Sequence, residues 1–403
     1  MATGILNPEN ASALLSKMIT PTEVASNSGL EVSSSDSISW FVLRCALFFA
    51  PLAVLLAAAA ISLSIVGELI TPQRILALQQ SGPVIWDPMY QPKSASPAYK
   101  ILGARQRRPE VLALGTSRIY SLRHELLRVA GTRFYNGCVF ASPLGGIRQF
   151  LEQLPSDHLP HAVILDIDPW WFDEHAQVQP PPDYFRPASQ MQILNFAWRN
   201  GLYLLTQRWA MLAPRNLIGG GSRLRGSGLR ADGSWSTKYR SLDTIPNLLE
   251  TQLSDVRAGT DERFLRGSPG VSSAAVEEMQ RLLNYCSAHH MALIGYMSTY
   301  HPSLYEALKR DSMQAYIWQI APVLAPMFQK AGEAFFDLQD PAVAGCQAGE
   351  YLDSFHESEV CTARELIVMA RGDSRAAAII DAGKLEGFLS HRRSEWQLAL
   401  GRW

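Results

Sequence analysis

The sequence predicts an α/β fold, a doubly wound domain with a parallel sheet, set behind one transmembrane helix. Three observations lead there. An uncharged apolar run lies near the N-terminus, short apolar runs closed by glycine or polar residues follow it, and helical spacing separates those runs. The 403 residues are 47% hydrophobic and 18% charged, enough material for one large domain or two ordinary ones. A net charge of -1 lacks the basic footprint of a nucleic-acid binder, so no nucleic acid is expected as partner. The local cluster Arg105, Arg107 and Arg108 reads as a solvated face.

Residues 1–39 are rich in Ser, Asn and Thr with little periodicity, which predicts a disordered tail. Within 40–70, Cys45 to Val66 reads CALFFAPLAVLLAAAAISLSIV, bounded by Arg44 and Glu68. An uncharged run of this length spans a hydrocarbon core, and Pro51 is tolerated in such a helix. A buried core helix and a signal peptide cleaved near Ala58 to Ala60 are the alternatives. The first conflicts with the length of the run, and the second with the long preceding segment, nearly devoid of positive charge. The tail holds only Lys17, whereas Arg74, Lys93, Lys100 and Arg105 follow the span. That bias places the C-terminal side in the cytoplasm, but the rule is weak for large domains. The chemistry of the domain therefore has to decide the side.

Residues 71–108 read as a linker, containing Pro and Ser, and 109–371 as the α/β domain. Val111 to Leu114, ending at Gly115, predicts the first buried parallel strand. TRFYNG predicts a second, ending at Asn136; Ala162 to Leu165 a third; the run from Met291 a fourth; and Phe335 to Leu338 a fifth. Helical stretches are expected at Ile119–Ala130, Leu144–Leu154, Ala274–His289, Leu304–Ala331 with a break, and Glu357–Ala370. Residues 173–270, rich in Pro, Gly, Arg and Trp, read as an insertion covering or extending the site. Its loop GGGSRLRGSGLR (Gly219 to Arg230) lacks the Gly-Lys-Ser/Thr ending of a P-loop and reads as flexible and solvated. Residues 372–403 predict a helix and a short tail.

Ligand sites in such sheets lie beyond the carboxyl ends of the strands. The first strand delivers Gly115-Thr116-Ser117-Arg118, and the fifth leads into Tyr351-Leu352-Asp353-Ser354-Phe355-His356-Glu357. A serine is a poor nucleophile until a base takes its proton. His356 can serve as that base and Asp353, three residues earlier, can orient it, which is the logic of a Ser-His-Asp triad. Each piece has a plain structural reading: Gly-Thr-Ser as a turn or helix cap, and Asp-x-x-His as a cap with a surface histidine. Their chain order and placement at strand ends of one sheet favour the catalytic one. Arg118 either grips an anionic group or pairs with a structural carboxylate. Tyr300-His301-Pro302 puts His301 at the site rim, as a substrate contact or a cap. Trp170 and Trp171 either stack on sugar rings or pack in the core. Asp166 and Asp168 have no further ligand cluster beside them, so a metal site is rejected.

The five cysteines, Cys45, Cys138, Cys286, Cys346 and Cys361, show no CxxC spacing. Cys346 and Cys361 flank one loop and form the candidate pair in an oxidising compartment.

The segments VLALGTSR, FYN, VILDIDPWWF and FFDL…YLDSFHESE together resemble the SGNH (GDSL-type) hydrolase-like superfamily. The resemblance covers Pro109 to Asp173 and Met291 to Ala370. Gly115-Thr116-Ser117 matches its first block, and Asp353 with His356 its last. Within it, the chain looks most like membrane-anchored extracytoplasmic members that serve polysaccharide O-acetylation, of the alginate type, and like the D-alanyl transfer protein of teichoic acid synthesis. The resemblance implies a flavodoxin-like three-layer sandwich and a serine nucleophile without cofactor, with a glycan or envelope polymer as substrate. It further implies a multi-span membrane acyltransferase that supplies the acyl group, and a single-pass protein of the bacterial inner membrane with its domain in the periplasm. The oxyanion hole is assigned to Ser117 with Asn136 or Gly137. The third block departs from the family, since Asp166-Ile167-Asp168-Pro169 holds no asparagine. The rival expectation is a non-catalytic assembly or glycan-binding subunit on the same fold.

Overall fold

Five parallel strands run through the middle of the chain: β2 (Val111–Leu114), β3 (Phe134–Asn136), β4 (Ala162–Asp166), β8 (Ala292–Met297) and β9 (Ala334–Asp337). They are seen in a computed structural model that describes residues 34–89, 95–139, 142–200, 214–236, 245–261, 263–264, 270–311 and 314–400. Their spatial order is β3-β2-β4-β8-β9, and every neighbouring pair is parallel. All five strands expected from the sequence are present, and the order reverses at β2.

Side-chain alternation explains why both faces carry helices. Leu112, Leu114, Val163, Leu165 and Leu293 point into a core with Ile147, Phe150, Met279, Leu282, Ile320 and Phe328. These last six come from α4 (Leu144–Glu152), α8 (Ser273–Ala288) and α10 (Ile317–Ala331). Val111, Ala113, Ala162, Ile164 and Ile294 point the other way, against Val360, Leu366, Ala376 and Leu385. Those belong to α12 (Glu359–Gly372), α13 (Ser374–Ile379) and α14 (Ala382–Ser390). Each such valine, leucine or isoleucine side chain, taken from water, stabilises the fold by about 1.5–3 kcal/mol. The break expected within Leu304–Ala331 separates α9 (Pro302–Arg310) from α10, and α11 (Pro341–Ala344) follows β9.

The expected tail, linker and C-terminal segment differ from the structure, and so does the flexible loop expected within the insertion. Residues 1–33 lie outside the described residues, but Ser34 to Ser39 already belong to α1 (Ser34–Val66). Ile38–Val66 of that helix is long and apolar enough to cross a membrane. Chain contacts divide the protein after Leu56 into Met1–Leu56 and Ala57–Trp403. The stretch 71–108 folds into α2 (Pro72–Ser81), β1 (Ile85–Trp86) and α3 (Ala95–Arg107) instead of a linker. Within 173–270 lie α5 (Gln190–Asn200), β5 (Leu217–Ile218), α6 (Gly220–Arg225), β6 (Gly228–Leu229), β7 (Trp235–Ser236) and α7 (Ile245–Ala258). β1 pairs with β5 in parallel and with β6 antiparallel, giving a second sheet ordered β5-β1-β6-β7. The glycine-arginine loop is therefore ordered as α6 and β6. Strands of two residues carry almost no periodic signal, so their pairing is invisible in the sequence. The C-terminal segment forms two helices where one was expected, and Ile119–Ala130 forms short 3-10 turns in place of an α-helix.

The last turn of α1 is built into this second sheet. The Val66 carbonyl accepts the Gly219 N–H at 2.8 Å. The buried Glu68 carboxylate accepts the N–H groups of Met89 and Gly220.

Candidate active site

Ser117 leaves the sheet at the point where the strand order reverses. Gly115 ends β2 with φ +153°, a backbone state that side chains avoid. Thr116 is extended, and Ser117 opens a 3-10 turn running to Ser121. The buried Cys138 thiol donates to the Thr116 carbonyl, holding the strand end. Burial pushes that thiol up to about 12, so it stays protonated.

The loop from Tyr351 to Glu357 closes on itself through a bridge between those two residues and a Leu352 N–H to His356 O bond of 2.8 Å. Inside it, one Asp353 oxygen accepts the N–H groups of Phe355 and His356 at 3.1 and 2.8 Å. The other oxygen lies 2.6 Å from His356 Nδ1, and His356 Nε2 lies 2.7 Å from Ser117 Oγ. Burial opposes the charge on Asp353, but the His356 ring and the two N–H groups outweigh it and hold the carboxyl at about 2. An ionised Asp353 fixes the tautomer: Nδ1–H donates to it, and Nε2 accepts from the serine hydroxyl. The imidazole is packed between Tyr120 and Phe355, with ring centroids at 5.4 and 4.6 Å. Ser117 is half-buried, and the His356 side chain keeps 17% exposure. The relay is thus partly open to solvent.

Structure and expectation part over the remaining residues. The Asn136 N–H donates to Asp232 O at 2.7 Å, and its side-chain amide donates to the carbonyls of Ile119 and Leu122. The Gly137 N–H donates to Ala113 O at 2.8 Å. Neither N–H is available to a bound anion, which leaves the Ser117 N–H of the three expected donors; it stands at the start of a helical turn, where donors have no intrahelical partner. Arg118 has no solvent exposure. It donates to the carbonyls of Ser298 and Thr299 at 2.7 and 2.9 Å and lies 3.9 Å from Asp168. It is a buried strut and grips no substrate. Burial raises the carboxyls of Asp166, Asp168, Glu357 and Glu365, the last up to about 8, with Arg118 opposing in each case. His301 is buried and caps α9 by accepting the Ser303 N–H at 3.1 Å, and its own N–H donates to Ser354 O. It too is structural. Trp171 is 3% exposed and donates to Ser142 O, placing it in the core. Trp170 is half-buried beside Phe355 at 6.4 Å and remains the one tryptophan of the pair able to meet a ligand.

Several supporting residues escaped the sequence reading. Trp235 of β7 packs edge-on against Tyr120, which packs in turn on His356. Arg123 pairs with Glu359 at 2.8 Å, and Arg230 lies 3.6 Å from the same carboxylate. The fully buried Lys100 donates to the carbonyls of Asn136 and Gly233, while burial lowers it to about 8. His124, Glu125 and Asp232 bring three ligand-type groups together. Arg123 pairs with Glu125, and Asp232 accepts from His124, so each carboxylate is already engaged. An open groove of about 720 Å³ lies between α7 and α9, lined by Arg257, Pro302, Glu306 and Arg310. Cys346 and Cys361, buried and with Cα atoms 5.3 Å apart, form a disulfide that brackets Asp353 and His356.

Neither family models nor curated proteins nor solved structures gave a significant match to this chain.

Proposed function

We propose that this protein is a serine-dependent acyl transferase or esterase of the SGNH type, acting on a polysaccharide or other envelope polymer outside the cytoplasm. The observation that carries the reading is the continuous Asp353–His356–Ser117 relay, with contacts of 2.6 and 2.7 Å at the sheet's carboxyl edge. The sheet order corresponds to 2-1-3-4-5 in chain order, the flavodoxin-like arrangement, with helices on both faces.

In this reading His356 Nε2 takes the Ser117 proton as Oγ attacks an acyl carbonyl. Asp353 stabilises the imidazolium that forms, and the Ser117 N–H donates to the developing oxyanion. The protonated histidine then delivers its proton to the leaving alcohol. In the second half His356 deprotonates an acceptor hydroxyl, or water, which attacks the acyl-serine, and the proton returns from His356 to Oγ as the serine ester bond breaks. A sugar hydroxyl makes the protein a transferase; water makes it an esterase. The half-buried Trp170, beside Phe355 of the same loop, offers a surface for the acceptor.

The disulfide supports an oxidising compartment. Together with the apolar helix it favours a single-pass protein of a bacterial inner membrane with its domain in the periplasm. A multi-span acyltransferase in the same membrane would be the acyl donor.

The test is turnover of an activated acetyl ester by purified protein. Ser117→Ala is expected to lose activity by a factor on the order of 10³ or more, and unchanged turnover would sink the assignment. A second reading, a non-catalytic glycan-binding or assembly subunit, is favoured by the committed N–H groups of Asn136 and Gly137. A fluorophosphonate separates the two. Labelling lost in His356→Ala supports catalysis, and no labelling at all supports the scaffold.

A further inference from the structure

Two bonds do not fix the plane of the His356 ring. Nδ1 lies 2.6 Å from Asp353 and Nε2 lies 2.7 Å from Ser117, yet the ring can still tilt about the line joining its nitrogens. The Nε2 lone pair lies in the ring plane, so a tilt turns it away from the serine hydroxyl and weakens that bond. Ring packing has to prevent the tilt. Phe355 packs at 4.6 Å, but it belongs to the same loop as His356 and moves with it. Tyr120 packs edge-on at 5.4 Å and 72°, and it belongs to the turn that starts at Ser117. Tyr120 is therefore the ring that registers the base against the nucleophile.

The same turn ends at Ser121, whose buried hydroxyl donates to the Glu357 carbonyl at 3.0 Å. Glu357 follows His356 in the chain. One turn thus carries the nucleophile, packs the base and bonds the base's neighbour. Tyr120 is itself 7% exposed, with Trp235 against it, ring centroids 6.5 Å apart and planes at 87°. Such an edge-to-face pair is a preferred aromatic geometry. Trp235 lies on β7 opposite Leu229, which lies opposite Trp86 of β1. The ring behind Tyr120 is therefore supplied by the second sheet.

We propose that Trp235 is a positioning residue for His356: it holds Tyr120 against the imidazole, and Ser121 completes the clamp through the Glu357 carbonyl. The second sheet thereby sets the alignment of the base while supplying no member of the relay. This inference rests on the acyl-transfer reading. A misaligned base slows proton transfer and leaves the surface that binds the ester as it was, so the clamp acts on kcat and not on KM.

The test uses the full chain in nanodiscs with an activated acetyl ester. Two quantities are read: steady-state kinetics, and the low-field proton signal of the His356 Nδ1–H bonded to Asp353, identified by its loss in His356→Ala. Trp235→Ala is expected to lower kcat on the order of 10–10²-fold with KM retained. It is also expected to broaden the proton signal as the bond opens to exchange with water. Trp235→Phe, which keeps a ring behind Tyr120, is expected to recover most of both. Parental kcat and signal in Trp235→Ala overturn the proposal. So does a loss that Trp235→Phe does not recover, which would mean that the tryptophan serves the fold alone. Ser121→Ala removes one hydroxyl and is expected to lower kcat several-fold; if Trp235→Ala does not fold, parental kcat in Ser121→Ala overturns the clamp. Turnover that survives Ser117→Ala would instead sink the acyl-transfer reading. The proton signal needs no turnover and decides the clamp in that case too.

Discussion

A Cβ at position 115 would meet the Cβ and carbonyl of Asp166 at 3.1 Å, on a backbone already at φ +153°. That crowding explains why glycine ends β2 and why the next hydroxyl turns out of the sheet. Gly115→Ala is expected to cost about 1–3 kcal/mol and to displace Ser117; thermal melts paired with esterase assays check both. Asp353 gives a sharper expectation. Its carboxyl is depressed to about 2 in the fold, so its contribution to stability is present above the ordinary aspartate range. That contribution is lost as pH falls through about 2, because the proton then binds in folded and unfolded states alike. Asp353→Asn should therefore lose roughly 2 kcal/mol at neutral pH and converge on the parent protein near pH 2. Its turnover should drop on the order of 10³–10⁴-fold, since the imidazole tautomer is no longer enforced. The meeting of Ser117, His356 and Asp353 is readable because strand ends and an Asp-x-x-His spacing are local signals. The fates of Arg118, His301 and Asn136 were not, because each depends on carbonyl groups far away in the chain.

Among the elements, the loop bracketed by Cys346 and Cys361 matters most to the relay. It holds Asp353 and His356, and it is ordered from within by the Tyr351–Glu357 bridge, a 3-10 turn at Ala348–Glu350 and local hydrogen bonds. The disulfide closes a separation of 15 residues, and closing a loop of that size stabilises by about 3 kcal/mol. Cys346→Ser with Cys361→Ser is expected to lower the melting temperature and to reduce turnover more than affinity for the ester. Equal kcat at a lowered melting temperature would show that the staple serves only global stability. The major strands and helices were legible from apolar runs and helical spacing. The 3-10 turns after Ser117 were misread as a helix because their apolar residues fall at similar intervals, although they pack separately against the sheet.

For the whole molecule, the second sheet is the feature that the sequence concealed. It joins residues 85–86 to residues 217–236, and no local pattern links such short, distant segments. Its consequences reach the site: Asp232 fixes the backbone of Asn136, and Trp235 packs behind Tyr120. The same sheet receives the end of α1 through Glu68. Glu68→Ala leaves the N–H groups of Met89 and Gly220 without their acceptor and is expected to destabilise by about 2–4 kcal/mol. Hydrogen exchange should then rise in β1, β5 and α6 first. Uniform exchange across the protein would show that the carboxylate is no local clasp.

The pairing of Cys346 with Cys361 also sets a clock. A newly made chain still in a reducing compartment has two thiols there and lacks the staple around Asp353 and His356. In the proposed extracytoplasmic reading, the loop around Asp353 and His356 would be stapled only after export and oxidation, and cytoplasmic acyl donors would be spared. Activity in cells should accordingly follow the thiol-oxidising machinery of the envelope, lagging behind protein synthesis when that machinery is slowed.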